Sequence, residues 1–339
     1  MNLWYYTIQR LLLLIPIVWG VVTITFVISH ILPANPVALL AGPQANEEVM
    51  LALTRHLGLD KPLLDQYLLY LGYLFSGDLG SSFRTGRPVL ADLKTYFPAT
   101  CELVFLSLLT SIVVSIPLGT ASAIYRDKLL DYILRGITLL GVSMPAFWLG
   151  LLFLYLFFFH LGIAPPPVGR IAMTIRSPSK MTGLLLVDTL LQGNLAAFRS
   201  ALEHLLLPVF TLAFVTMAPL ARIVRSAMID VLQADYIRSA RARGIPEFVI
   251  YFRHALKNAL FPIITIIGAL FGNLLSGAVL VETVFAWPGL GRYAVDSIHS
   301  LDYAAVQGFV LLSATIYVIV FLLVDLLYFV IDPRMRSDE

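Results

Sequence analysis

Hydrophobic residues run along most of this chain without the regular polar interruptions that mark one face of a soluble helix. A bilayer crossing needs about 20 predominantly apolar residues. Six stretches reach that length: about Leu11 to Ile31, Leu103 to Ile124, Ile133 to Phe159, a fourth from near Leu205 that turns polar after Leu220, Ala259 to Val281, and Ala304 to Val330. Pro117, Pro145, Pro208 and Pro219 fall inside or at the ends of these runs, so kinks are expected where neighbouring helices absorb the freed carbonyls. The first run is longer than the apolar core of a secretory signal. Pro33 and Pro36 follow it without a small-residue cleavage pattern, so it reads as an uncleaved span.

The segment from Leu32 to Pro98 has helical signals of its own. Asn46 suits an N-cap ahead of Glu47 and Glu48, with Val49, Leu53 and Leu57 on the apolar side and Gly58 as a stop. Pro62 suits the start of a second helix carrying Leu63, Tyr67, Tyr70, Leu71 and Leu74, too short to span and rich in rings that favour a membrane interface. Gly77 to Pro88 is turn-rich and polar, either a solvated loop or a contact for an external partner.

Composition agrees with a lipid environment. Of 339 residues 59% are hydrophobic and 13% charged, and the mean hydropathy of +0.85 lies far above that of soluble domains. One cysteine, Cys101, excludes an internal disulfide, and the six histidines lie too far apart for helical metal-site spacing. The net charge of +2 matters less than its placement. Arg10, then Arg126, Lys128 and Arg135, then a cluster from Arg222 and Arg225 through Arg253 and Lys257, and finally Arg334 and Arg336 fall on one side, which predicts cytoplasmic termini.

Three places carry candidate chemistry. Between the fourth and fifth runs, Asp235, Tyr236, Arg238, Ser239, Ala240 and Arg241 read as a short helix ended by Gly244, with Pro246 and Glu247 starting another and His254 within it. Tyr236, Ala240 and Gly244 share a face at i, i+4 spacing that a partner can approach closely; a basic connector that only fixes topology is the alternative. After the fifth run, Glu282, Trp287, Pro288, Gly289, Gly291 and Arg292 read as a turn with an interfacial tryptophan. Asp325 is an ionisable residue within the last run, a functional candidate or a partner inside the helix bundle.

The segment Tyr236 to Gly244 with Arg253-His-Ala-Leu-Lys-Asn-Ala259 resembles the cytoplasmic coupling loop of ABC importer permeases, in the form of the dipeptide/oligopeptide permease family. Arg238 and Ser239 stand where Glu and Ala are usual in importers at large, and Lys257 where Pro is usual, departures typical of the peptide branch. Further segments resemble the same family in order along the chain: Leu32-Pro33 with Asn35-Pro36, Leu57 to Pro62, Gly77 to Ser82, Pro98-Ala99-Thr100, Gly141 to Gly150, and Glu282 to Arg292.

The resemblance implies an all-α polytopic protein of about six transmembrane helices with the type I ABC importer permease fold. Residues 1–97 would hold the first span and an extracytoplasmic helical segment. Residues 98–330 would form the five-helix core with coupling loop 231–258, and residues 331–339 a cytoplasmic tail. It further implies a permease, not an enzyme, in the bacterial cytoplasmic membrane. Its partners would be a second homologous permease, one or two ABC ATPases that bind ATP and Mg, and an extracytoplasmic solute-binding protein, with no nucleic acid and no cofactor in this chain. Asp235, Tyr236, Arg238, Ser239, Ala240, Arg241, Gly244 and His254 would couple to the ATPase, and Glu282 to Arg292 would lie at the external mouth. The absence of a Gly-x-x-x-x-Gly-Lys-Ser/Thr loop agrees with borrowed ATPase activity. An ion-coupled carrier is the rival class, but it calls for repeated halves and buried acids along the spans, and neither pattern is evident. Cargo stays open among peptides, glutathione, opines, nickel chelates and oligosaccharides.

Overall fold

A computed structural model describes residues 3–31, 46–56 and 59–331. The stop at Leu57-Gly58, the motif residues from Leu32 to Pro36, and Arg334 and Arg336 lie outside the described residues. In chain order the helices are α1 (Leu3–Ile31), α2 (Glu47–His56), α3 (Leu63–Phe75), α4 (Val89–Ile124), α5 (Leu129–Ser143), α6 (Ala146–Phe153), α7 (Leu185–Leu191), α8 (Leu195–Leu232), α9 (Asp235–Ala242), α10 (Glu247–Val249), α11 (Leu256–Val284), α12 (Leu290–His299) and α13 (Tyr303–Ile331). Seven residues of π-helix, Leu154–His160, extend α6, and six more, Ile250–Ala255, join α10 to α11. Among the described residues the one β pairing is an isolated bridge between Ser81 and Pro88.

Five continuous helical stretches among the described residues are long and apolar enough to cross a membrane: Thr7–Ile28, Val89–Ile124, Leu195–Leu232, Glu247–Val284 and Tyr303–Leu326. The third expected span is not one rod. It is the pair α5 and α6 with its π extension, bent by 106°. Met144 is extended (φ −102, ψ 127) ahead of Pro145, which has no N–H to continue the ladder and pushes its predecessor out of the helical region. The second and fourth spans begin earlier than their hydropathy suggests. Asn194 starts α8, its side-chain oxygen accepting from Ala197 N at 3.0 Å, and Pro208 and Pro219 both lie inside the 38-residue helix.

The chain forms two compact units. The first comprises Met1–Leu11, Pro98–Arg292 and Tyr317–Glu339. Its centre is α8, which packs against α5, α6, α7 and α11. One apolar cluster joins Leu220, Val224 and Met228 of α8 to Ile237, Ile250, Ala255 and Ile263. Another joins Leu205 and Leu212 to Leu103, Leu274, Val281 and Trp287. Between α4 and α8 the apolar contact is tied by hydroxyls: Ser111 Oγ lies 2.5 Å from Thr216 Oγ1, and Ser115 Oγ donates to Met217 O at 3.0 Å. At the end of this unit Asp325 meets Arg10 at 3.2 Å, so the helix-bundle partner raised for Asp325 is Arg10.

The second unit comprises Leu12–Phe97 and Tyr293–Ile316. Asn46 caps α2 as its sequence suggests, accepting from Val49 N at 3.0 Å. Phe26 of α1 meets Tyr67 and Tyr70 of α3, with ring centroids 5.2 and 5.6 Å apart. The segment from Gly77 to Pro88 is more than a solvated loop. Ser82 is buried and donates to Asp302, Arg84 N donates to the same carboxylate at 3.3 Å, and Thr85 Oγ1 donates to buried Asp92. Tyr293 stacks on Tyr96 with centroids 5.0 Å apart. Burial first, and the charges of Asp92 and Asp302 second, raise the Tyr293 phenol well above its ordinary value, so it stays a neutral donor.

Candidate functional site

The segment after α8 is a helix built to stand on its own chain with one side free. Ile237 and Ala240 of α9 are buried against Met228, Ile250 and Ala255. On the other side the Asp235 side chain is 95% exposed and that of Arg238 74%, the two forming an i, i+3 pair at 3.3 Å. Ser239 and Arg241 are also exposed. Tyr236 is tethered, its hydroxyl accepting from Asn258 Nδ2 at 3.1 Å, while Asn258 Nδ2 also donates to the carbonyl of half-buried His254 at 2.8 Å.

The corner at Gly244 closes with paired hydrogen bonds. Gly244 N donates to Arg241 O at 2.9 Å and Ile245 N to Ala240 O at 3.2 Å, the two bonds of a Schellman cap, with Gly244 at φ +74. Ile245 then packs onto the apolar cluster beneath. Arg241 spans the corner as a fork, Nε to Glu247 Oε1 at 2.9 Å and Nη2 to Oε2 at 3.3 Å, which fixes the angle between α9 and α10. The structure therefore brings Asp235, Arg238, Ser239 and Arg241 onto one exposed surface beside Gly244, but it corrects the expected contact face. Ala240 is turned into the chain's own core, because Ile237 and Ala240 together are its apolar stripe, so Tyr236, Ala240 and Gly244 do not form a free face. Sequence reasoning missed two exposed rings beside this surface, Phe248 and Phe252, 4.7 Å apart.

The turn after α11 is organised around a buried carboxylate. Glu282 accepts from Thr100 Oγ1 at 2.5 Å, Gly291 N at 2.7 Å and Arg292 N at 3.1 Å. Thr100 Oγ1 accepts in turn from Leu290 N at 2.8 Å. A Cβ added at Gly289 would collide with the Glu282 carboxylate, and one at Gly291 would collide with Val279. Trp287 is 1% exposed and its Nε1 donates to Ala99 O at 3.0 Å. The interfacial tryptophan expected from sequence is thus a core residue whose polar edge needed a carbonyl. Arg292 Nη1 reaches Ala286 O at 2.8 Å, holding a residue at φ 48, and Pro288 is half-buried within the same turn. Pro98-Ala99-Thr100 and Glu282 to Arg292 are one structural site.

Other buried acids escaped the sequence. Asp131 at the start of α5 takes a two-pronged pair from Arg225 of α8 (Nε–Oδ1 and Nη2–Oδ2, both 2.8 Å), with Ser122 Oγ, Asp127 N and Arg135 also on the carboxylate. Glu102 pairs with Arg170, whose guanidinium lies over the Trp287 ring. Asp188 in α7 gathers Thr182 N and Oγ1, Gly183 N and Met181 N at 2.7 to 3.3 Å. Burial alone would raise the Asp188 pKa, but these donors outweigh it and hold the carboxyl below its ordinary value. The helices do hold buried acids, contrary to expectation. Each is tied to a cation or to fixed donors within the same unit, as structural groups are.

Residues 115–337 match the family described as "Binding-protein-dependent transport system inner membrane component", and residues 3–104 match "Binding-prot-dependent transport system membrane comp, N-term". The "Probable D,D-dipeptide transport system permease protein DdpB" of Escherichia coli K12 is 49% identical over 335 residues, spanning 99% of this chain and 98% of the relative. "Dipeptide transport system permease protein DppB" of Alkalihalophilus pseudofirmus is 42% identical over 332 residues, 98% of this chain and 99% of its own. "Glutathione transport system permease protein GsiC" of Salmonella choleraesuis is 35% identical over 331 residues, 98% of each chain. With its apolar helices and their order, the chain belongs to the binding-protein-dependent transport system inner membrane components, multi-pass permease subunits with the all-α type I ABC importer fold.

Proposed function

We propose that this subunit forms half of the translocation path of an ATP-driven importer that carries dipeptides or oligopeptides across the bacterial cytoplasmic membrane. The observation that carries the coupling role is the surface of α9. It is charged and exposed on one side, anchored by Ile237 and Ala240 on the other, and ends in a corner fixed by Gly244 and the Arg241–Glu247 fork. A helix held this firmly on its own core transmits a push from a docked ATPase into α8, which precedes it, and through α10 and the π segment into α11. Asp235, Tyr236, Arg238, Ser239, Arg241, Gly244 and His254 contact or shape that surface, and Ala240 anchors it.

The peptide cargo rests on the names of relatives whose identity runs the full length of the chain. The turn from Glu282 to Arg292 serves at the external mouth as a rigid corner, its carboxylate fixing the path of the backbone and not meeting solute. The assembly holds a second homologous permease, one or two ATPases carrying ATP and Mg, and an extracytoplasmic binding protein. Both termini face the cytoplasm, in keeping with the basic residues at one set of helix ends. No cofactor resides in this chain.

Proteoliposomes containing the assembled transporter test this against ion coupling. Dipeptide uptake should require ATP on the α9 side and binding protein on the other, and should survive a protonophore. Uptake that proceeds without ATP and collapses with the ionophore would establish an ion-coupled carrier instead.

A further inference from the structure

Between α4, α5 and α8 lies a cavity of about 320 Å³ that neither the coupling surface nor the turn at Glu282 uses. Its walls are apolar, with Leu118, Leu134, Ile137, Phe214 and Met217, and it ends in Arg135, Arg222 and Arg225. The three arginines do not play the same part. Arg225 is held by the buried carboxylate of Asp131, and Arg135 is shared between Asp131 and Asp127. Arg222 is exposed and makes no ion pair with the described residues. It lies one turn before Arg225 on α8, so both project from the same side of that helix.

The surroundings resemble a membrane boundary. Lys128 lies over the Tyr125 ring at 5.6 Å and Arg135 over Tyr132 at 4.5 Å, pairing rings with cations at the corner between α4 and α5. Arg126, Arg135 and Arg225 pair with Asp127 and Asp131, while Lys128 and Arg222 make no ion pair among the described residues, so the corner is net positive. Ile137 and Leu139, both lining the cavity, are exposed apolar side chains.

We propose that this cavity is a binding site for an anionic phospholipid. An acyl chain lies along Leu118, Leu134, Ile137, Phe214 and Met217, and the phosphate meets Arg222, with Arg225 and Arg135 held in place behind it by Asp131. Charge complementarity selects the occupant. A zwitterionic lipid would fill the same apolar volume but would leave Arg222 and the net positive corner uncompensated. A basic pocket between transmembrane helices, with apolar walls leading away from it, is the chemistry that anionic headgroups recognise.

The test uses the assembled transporter in detergent. Retained phosphatidylglycerol and phosphatidylcholine are counted by native mass spectrometry, with inorganic phosphate and dialanine as competitors. Phosphatidylglycerol should be retained about fivefold more than phosphatidylcholine. That preference should vanish in Arg222→Gln, return in Arg222→Lys, and be accompanied by loss of retention in Thr138→Phe, which puts a ring into the cavity from its wall. Equal retention of the two lipids, or an undiminished preference in Arg222→Gln, would overturn the proposal. So would displacement by phosphate alone, which would make this a simple anion site, or displacement by dialanine, which would make the cavity part of the solute path. Loss of preference in Arg222→Gln with full retention in Thr138→Phe would place the headgroup on the surface and also refute the cavity assignment.

Discussion

Replacing Gly244 by valine isolates what the corner after α9 contributes. The residue sits at φ +74, and a Cβ built there meets no atom within 4 Å. The cost of a side chain is therefore conformational and not a clash within the chain. An L residue in the left-handed region pays about 1 to 2 kcal/mol, and a β-branched one more, on the order of 2 to 3 kcal/mol. Asparagine tolerates this region far better than other non-glycine residues. Opening the corner would break the bonds of Gly244 N to Arg241 O and Ile245 N to Ala240 O and splay the Arg241–Glu247 fork. A cost of about 2 kcal/mol corresponds to a shift of about 30-fold toward misdirected corners, enough to unseat a docked helix and too little to stop membrane insertion. Dipeptide-stimulated ATP hydrolysis by the reconstituted complex should fall most in Gly244→Val, less in Gly244→Ala and least in Gly244→Asn, with subunit yield unchanged. Wild-type hydrolysis in Gly244→Val would refute the role of the corner. Equal loss in the asparagine and valine variants would show that contact with the side chain, and not φ, is what matters.

Arg225→Met leaves Asp131 buried beneath a lost two-pronged pair and should cost about 3 kcal/mol, read as a lower melting temperature in detergent, whereas Asp131→Leu combined with Arg225→Met should lie closer to wild type than Arg225→Met alone. Gly289→Ala should destabilise by about 1 to 3 kcal/mol because the new methyl group meets the Glu282 carboxylate, while Thr283→Ala, at the exposed position beside Glu282 on α11, should change melting by far less. Asp188 has a folded pKa below its unfolded value, so its contribution is present above the ordinary carboxylate range near about pH 4 and is lost as pH falls through the folded pKa. Asp188→Asn should therefore melt below wild type at pH 7, and the gap should narrow as the pH falls below about 4.

Much of the architecture was legible because lipid-spanning helices carry their own signal. The apolar runs, the Asn46 cap and the Gly244 corner all depend on residues close together in sequence. What stayed hidden depends on distant partners. Asp131 and Arg225 are 94 positions apart, and Glu282 and Thr100 are 182 apart, so neither pairing leaves a local pattern. Hydropathy also understated α4 and α8, whose N-terminal stretches carry buried polar residues, Asp92 and Thr100 in α4 and Ser200 and His204 in α8. Pro145 was visible as a kink, but the size of the break, 106°, and the packing of α6 against α8 and α11 beyond it were not. Trp287 shows the same limit. Its amphipathic ring suits an interface, and only the carbonyl of Ala99 within reach of Nε1 makes the buried position favourable.

The coupling role requires the exposed side of α9 to meet an ATPase in the cytoplasm. Cys101 is the single cysteine of the chain, so Cys101→Ser with Arg238→Cys places one thiol on that surface. In inside-out vesicles of the assembled transporter, this thiol should be labelled by a membrane-impermeant maleimide, and a short bifunctional cross-linker should join it to the ATPase subunit in a yield that changes when ATP is added. Labelling only in right-side-out vesicles would contradict the orientation and with it the coupling role, and no cross-link to the ATPase with or without ATP would contradict the coupling role.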